Sequence, residues 1–336
     1  MRYFKSSLLI TSLGLATAYY WAGLTGLFMA SVLGVMEVSL SFDNAVVNAT
    51  VLKNMSAPWQ RRFLTWGMVV AVFGVRFLFP VLIVAVVTGH SLREVTLMAL
   101  QNADEYARHI ESAHVQISAF GGMYLMLVFF FFVFQESKSL HWLGWIERKL
   151  ARMGKLESIE IVLALGALLI AQHFLPVEER LSAVIAGMAG VILYVLVKSV
   201  SNLFEHAEQA ENTFHKAGFI SFLYLELLDL SFSLDGVIGA FAISKDVVVI
   251  MLGLTIGAMF VRSLTIFLVH KSTLEEYLYL EHGAHYAIGA LAVLMLADMS
   301  VHVSELVTGL TGIGFILLSL WSSIRHKRKY PQLTAT

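Results

Sequence analysis

Glu37-Val-Ser-Leu-Ser-Phe-Asp43-Asn44-Ala-Val46 returns in the second half of the chain as Asp229-Leu-Ser-Phe-Ser-Leu-Asp235-Gly236-Val-Ile238. Acid, two serines and a second acid keep one register in both copies, and both copies sit inside long apolar runs. An ionisable group at the centre of a bilayer costs several kcal/mol, about 2.5–3.5 on insertion scales, so such groups mark function. A duplicated acidic motif at membrane depth reads as a cation site between two repeats.

Working outward, the composition fixes the class. Hydrophobic residues make up 58% of the 336 and charged residues 14%, and mean hydropathy is +0.75; soluble domains carry about 25% charged residues. The expected fold is all-α, a polytopic transmembrane bundle in a lipid bilayer. The net charge of −1 offers no basic field for nucleic acid. With no cysteine, disulfides, thiolate metal sites and thiol catalysis are excluded, and a bound metal would meet oxygen ligands, which suit Mn, Mg or Ca better than Cu(I) or Zn. Arg2, Lys5 and the apolar stretch up to Ala16-Thr-Ala18 have the form of a signal peptide, but a kept first helix is the expectation for a multi-spanning chain.

Apolar runs of spanning length fall at 6–22, 25–51, 63–88, 117–134, 158–174, 181–199, 217–243, 247–269, 284–299 and 303–324. Lys and Arg are retained on the cytoplasmic side. With both termini inside, the inner side holds seventeen of the 23 Lys/Arg, Lys198 at the inner end of its span included, and the outer loops four, with Arg76 and Arg262 within spans. The Glu37 helix then runs from outside to inside and the Asp229 helix from inside to outside, which makes the two copies an inverted repeat. Two further matches extend it: Gly67 stands nine residues before Arg76 as Gly253 stands before Arg262, and Gly121 and Tyr124 match Gly283 and Tyr286. The organisation read from this is a peripheral first helix (1–24), repeat 1 (25–134), a connection with two inserted helices (135–216), repeat 2 (217–299), and a last helix with a basic tail (300–336).

A two-fold axis in the membrane plane brings Glu37 and Asp229 together at the centre, with Asp43 and Asp235 each about 9 Å away along its helix towards opposite surfaces. Glu226 lies one turn before Asp229. In a regular helix Glu37 and Asp43 point about 120° apart. Ser39, Ser41, Ser231 and Ser233 can bend or open a helix by bonding its carbonyls, and Asn44 and Gly236 tolerate irregular backbone. Five carboxylates against Arg76 and Arg262 leave about three negative charges, too many for an empty apolar site. A divalent cation with one protonated carboxyl offsets them, so exchange of metal for protons follows. The alternative for the arginines is a structural ion pair with one acid each.

Other polar groups carry blander expectations. Glu105 and His109 in the loop 89–116, with Asp104, Glu111 and His114, read as an amphipathic helix rather than a metal site, and so do Glu205, Glu208, Glu211 and His215. Asp298, His302 and Glu305 have helical ligand spacing and read as interface polar residues before an exit-path site. The phenylalanines 129–132 read as packing surface.

The first motif, Glu37 to Asp43-Asn44, resembles the first signature of the TerC family, and Asp229 to Asp235 followed by Ala240-Phe-Ala-Ile243 resembles its second. Gly253-Leu-Thr-Ile-Gly-Ala-Met-Phe-Val-Arg262 is similar to the family's glycine-rich helix before a conserved arginine. The resemblance covers roughly 25–134 and 217–299 and points to a branch with longer loops. It implies a membrane protein of the LysE-like transporter superfamily, whose members are associated with manganese efflux, metal supply to exported enzymes and tellurite resistance. It carries metal-site roles to Glu37, Asp43, Asn44, Asp229 and Asp235. Gly236 departs from the family's usual serine, and Ala297-Asp298 lacks a lysine often found near the end of the third repeat helix.

The function expected is export of a divalent cation, Mn²⁺ first, across the bacterial inner membrane. Two other classes stand beside it. A membrane scaffold could bind metal for a partner complex without flux. An intramembrane aspartyl protease would use two carboxylates sharing a proton, but the duplicated arginine-bearing helices have no part in that mechanism, so no enzyme is expected. The acids of the two motifs are expected to converge on antiparallel helices.

Overall fold

The computed structural model describes the backbone of residues 2–53, 55–67, 69–135, 138, 140–156, 158–208, 214–244, 246–270 and 277–329. Side chains at 2, 43, 79, 87, 103, 200–208, 214–217, 220, 231–236, 238, 239, 241, 242, 305 and 306 lie outside the description. Regular structure among the described residues is helical throughout. Six of these helices are long and apolar enough to cross a membrane, and the bent pair Ala57–Gly67 with Val70–Val86 makes a seventh. Their outward faces carry Leu9, Tyr20, Leu24, Leu181, Ile185 and Leu310, all more than half exposed. Such surface suits lipid, whereas in water it would be an association patch.

The first long helix, α1 (Lys5–Leu40), is two helices joined by a reversal at Ala22 (φ −132°) and Gly23 (φ +63°, ψ −151°). Only glycine adopts that second conformation without strain. The reversal folds 5–21 back on 24–40, so that Gly14 and Gly34 both lie against the side chain of Ile256. Twenty helical residues in a straight line would separate them by about 30 Å. The spans read at 6–22 and 25–51 are therefore distinct, and the second breaks again at Ser41 (φ −100°, ψ 17°) before α2 (Phe42–Leu52).

A short α3 (Ala57–Arg62) leads into two π-helical stretches, π1 (Phe63–Gly67) and π2 (Val70–Leu78), and then α4 (Phe79–Thr88). The third span is thus bent, by 42°, and wound wide where Arg76 projects. The polar loop forms α5 (Leu92–Gln101), closed by a Ser91–Glu94 capping box, and α6 (Ala103–Ser112), with Tyr106 and Ile110 buried. Its exposed Glu94 is held below the usual carboxylate range by the hydrogen bonds from Ser91.

Of the candidate spans the most enclosed is α7 (His114–Phe134). Around it stand α9 (Ile159–His173), α10 (Val177–Glu208) and, along its whole length, α13 (Leu280–Asp298). Inside a bilayer no water is expelled when helices meet, so small residues that permit close approach carry the packing. Gly122 faces the Ala292 carbonyl, Gly190 the Phe120 carbonyl and Gly283 the Ser319 side chain of α14 (Glu305–Lys329). The inserted pair α9 and α10 is consequently built into the core through α7.

Two helix pairs position the acids. Residues 24–40 run parallel to α12 (Val247–His270), with Leu33 against Gly253, Gly34 against Ile256 and Glu37 against Gly257. The start of α12 is capped by Asp246 Oδ1, which accepts from Val248 N at 2.9 Å and Val249 N at 3.2 Å, and Trp21 at the reversal donates to Asp246 Oδ2 at 2.9 Å. Meanwhile α11 (Phe214–Ile243) runs parallel to 59–67, with Trp59 on Gly218 and Gly67 on Glu226. Because α11 ends three residues before Asp246, beside the reversal where 24–40 begins, the helices bearing Glu37 and Asp229 are antiparallel.

Basic segments collect at one end. Lys53 reaches Glu281 at 3.8 Å, Tyr3 packs on His270, and Tyr279 N donates to Ser323 Oγ at 2.9 Å beside the tail 325–329. The chain has no cysteine, and a Cβ built on Gly34 lies 3.5 Å from that of Ile256, within disulfide range. The Gly34→Cys/Ile256→Cys variant is expected to oxidise spontaneously and resist thiol alkylation until reduced. Free reactivity of both thiols under oxidising conditions would contradict this packing.

Candidate functional site

Glu37 ends the second half of α1 and is 1% exposed. Its Cβ and Cγ rest on Gly257, where any side chain would displace them. Ser41, freed from the helix at the break, donates from Oγ to Glu37 Oε1 at 3.0 Å. Arg76 Nη2 donates to the same oxygen at 2.5 Å. The other nitrogen, Nη1, donates to Ala71 O at 2.7 Å and lies 3.6 Å from Asp229 Oδ2. One buried guanidinium therefore joins the lead acids of both motif copies. A planar fork can address two carboxylates and a carbonyl at once, which an ammonium cannot.

Glu226 lies one turn earlier on α11, 7% exposed. Its Oε1 occupies the space a Cβ on Gly67 would fill, and neither of its oxygens has a hydrogen-bond partner among the described residues. It faces a cavity of about 30 Å³ shared with Asn48, Gly67, Arg76, Asp229 and Arg262, room for roughly one water molecule or a dehydrated ion. Arg262 enters this cavity from α12 and donates from Nε to Leu64 O at 2.6 Å, at the π-wound start of the third span.

The expected residues divide accordingly. Glu37, Glu226, Asp229, Arg76 and Arg262 come together, and the helix opens at Ser41. Asn44 is buried in the first turn of α2. Ser39 does not join them: it is exposed and its Oγ donates to Val35 O at 2.9 Å, because two helical residues beyond Glu37 amount to about 200° of turn. The side chains of Asp43, Asp235, Ser231, Ser233 and Glu305 and the stretch 205–215 lie outside the described residues. Glu105 accepts from Asn102 Nδ2 at 2.6 Å, away from any shared ligand role with His109. Asp298 pairs with His114 at 2.6 Å and approaches His302 at 3.9 Å. Among the described residues no group of three or more His, Asp or Glu could hold a metal ion.

A further buried carboxylate, away from this cluster, was not foreseen. Glu147, on α8 (Trp145–Met153), is fully buried. It accepts from Trp142 N at 3.1 Å, Leu143 N at 3.2 Å and Tyr286 Oη at 3.0 Å. His282 Nε2 lies 3.6 Å away and Lys138 Nζ 3.9 Å away. Burial pulls the Lys138 ammonium below its ordinary value, opposed by Glu147 and Glu281. The one sequence signal is its spacing from Leu150 and Ala151, which puts the acid on their side of the helix.

Removing one member of a buried ion pair leaves a charge uncompensated and costs about 3–5 kcal/mol, whereas replacing the whole set costs far less. Arg76→Met is expected to lower thermal stability in detergent strongly, and Glu37→Gln introduced with it to restore part of the loss. Equal melting temperatures for Arg76→Met and the wild type would show that the cluster does not bear on folding.

No curated protein and no solved structure matches the chain. The model of one family, described as a protein of unknown function (DUF475), matches residues 42–330. That stretch begins just after Ser41 and takes in both arginines, Glu226 and Asp229, and α8 with its buried glutamate, while Glu37 precedes it; the chain belongs to the DUF475 family.

Proposed function

We propose that this protein exports a divalent cation, Mn²⁺ before others, across the bacterial inner membrane in exchange for protons, with both termini cytoplasmic. The carrying observation is one cavity lined by Asp229, Glu226 and Arg76, with Arg76 also the counter-ion of the buried Glu37 behind it. Oxygen donors of this kind favour hard cations such as Mn²⁺ over Cu(I). The resemblance of both motifs to TerC signatures supports the same reading.

An inverted repeat is supported by an equivalence of contacts. Gly34 stands three residues before Glu37 as Glu226 stands three before Asp229, and Gly253 stands nine before Arg262 as Gly67 before Arg76. Glu226 lies on Gly67, and a Cβ on Gly34 would lie 3.4 Å from the Gly253 carbonyl. Each pair is of parallel helices that meet at corresponding positions, and one pair runs antiparallel to the other. In this reading Arg76 balances the acids while no metal is bound. A cation entering the cavity takes over that balance through Asp229 and Glu226, and protons replace it on release. The carboxylates hold the ion and later the protons; Gly67 and Gly257 let them approach; Asn44 and Asn48 supply neutral oxygen donors nearby.

The two Arg76 ion pairs favour a second reading, a metal-binding scaffold that serves a partner complex without flux. Everted vesicles separate the two. Radioactive Mn²⁺ is expected to accumulate in vesicles containing the wild type when a proton gradient is imposed. Glu226→Gln, Asp43→Asn and Asp235→Asn should each reduce that uptake at least about tenfold, given a site whose charge must match the cation. Gly67→Ala should reduce it too, with the protein still inserted, because the new methyl displaces the end of a flexible side chain. Metal binding without any gradient-driven uptake would replace export with the scaffold.

A further inference from the structure

The helix α8 (Trp145–Met153) carries one acid and three basic residues, and it sorts them. Glu147 is turned inward and fully buried, while Arg148, Lys149 and Arg152 are exposed and Trp145 is 69% exposed. Trp145, Arg148, Lys149 and Arg152 are spaced at three, four and seven residues, so they share one face of the helix. With its only carboxylate withdrawn, that face is positively charged throughout, and Lys155 follows it, also exposed.

The helix has a fixed place. Glu147 ties it to Tyr286 at 3.0 Å on α13 and to the backbone of Trp142 and Leu143 before it. At the same end of the bundle, Tyr279 binds Ser323 of α14, and there Arg325 lies over the ring of Trp321, 5.5 Å from its centroid. Two tryptophan–basic combinations thus stand at one end of helices whose sides are apolar. Tryptophan concentrates at the headgroup level of bilayers, and juxtamembrane Lys and Arg are drawn to anionic lipid.

We infer that α8 is a docking element for anionic phospholipid headgroups, with Trp145 seated at the headgroup boundary, Arg148, Lys149 and Arg152 meeting the phosphates, and Glu147 fastening the helix to the end of α13. The lipid surface is favoured over an acidic protein because the basic face is bordered by Leu143 and Ile146, exposed by 41% and 39%, which an apolar–polar boundary accommodates and a hydrated acidic peptide does not. The docking is independent of whether the protein transports metal.

Hydrogen exchange of the full chain in nanodiscs tests it. Phosphatidylcholine discs are compared with discs containing one part in three of phosphatidylglycerol. A basic side chain at an anionic surface contributes about fivefold in partition, so amides in 143–156 are expected to exchange at least about threefold more slowly with phosphatidylglycerol, and high salt should remove the difference. The Arg148→Gln/Lys149→Gln/Arg152→Gln variant should lose the lipid dependence alone. Glu147→Gln should speed exchange of α8 in both lipids. Equal exchange of the wild type in the two discs overturns the proposal without recourse to any variant. Protection by soluble polyglutamate in phosphatidylcholine discs, equal to that by phosphatidylglycerol, overturns it in favour of an acidic protein partner.

Discussion

Arg76 between Glu37 and Asp229 is the constraint on which the arrangement rests. A buried ion pair contributes little net stability, since desolvation offsets attraction, but a broken one is severely unfavourable. Its effect is therefore on geometry. Glu37, Arg76 and Asp229 come from three helices far apart in sequence, and none can leave without stranding a charge. The register of α1 on α12 and of α11 on the third span follows from bringing them within reach. Gly257 behind Glu37 and Gly67 beside Glu226 are the local conditions for that approach. The Ser41 break adds the hydroxyl that takes part of the Glu37 charge.

Much of this was legible because charge in an apolar run has few explanations. The duplicated acids with the bias of basic loops were sufficient to place the motif-bearing helices antiparallel, and the glycine–arginine spacing to set both arginines near them; that Arg76 alone reaches both lead acids is a finding of the structure. The reversal before 25 was visible as a gap between two apolar runs. What the pattern could not carry was orientation within a turn. Ser39 and Ser41 are equivalent as residue types, but one lies on the lipid-facing side of its helix and bonds its own backbone while the other faces Glu37. The π winding of the third span was equally hidden, since its residues would suit an ordinary helix. Wide turns of this kind often accompany functional side chains, and here the winding carries Arg76.

Glu147 was missed for a different reason. Charge counting assigns loop acids to solvent, and the segment around Glu147 has the charge density of a solvated loop. Only the position of the acid on the inward face, against Trp142, Leu143 and Tyr286, identifies it as buried. Gly283 and Tyr286 had been noted only as a repeat match. In the fold they do separate work: Gly283 admits Ser319 of α14, and Tyr286 anchors α8.

The two halves carry one motif but do not use it alike. Arg76 engages carboxylates, whereas its counterpart Arg262 binds the Leu64 carbonyl on the far side of the same cavity. Glu226 has Gly34 as its counterpart, so this acid, which has no hydrogen-bond partner among the described residues, belongs to one half only. In the transport reading this asymmetry has a physical use. A carrier built from two inverted repeats reaches its opposite-facing state when the halves exchange conformations. Arg262 would then be the arginine that turns from a backbone carbonyl to the acids, while Arg76 withdraws. Glu226 cannot be exchanged in this way, because no second acid stands at the Gly34 position. In that reading the balance of charge around the cavity would differ between the two states although the motif is duplicated, and a cation held in one would be less well balanced in the other. Such a difference is what release on one side would require, and in this reading it rests on the glutamate at 226 where the first copy has Gly34.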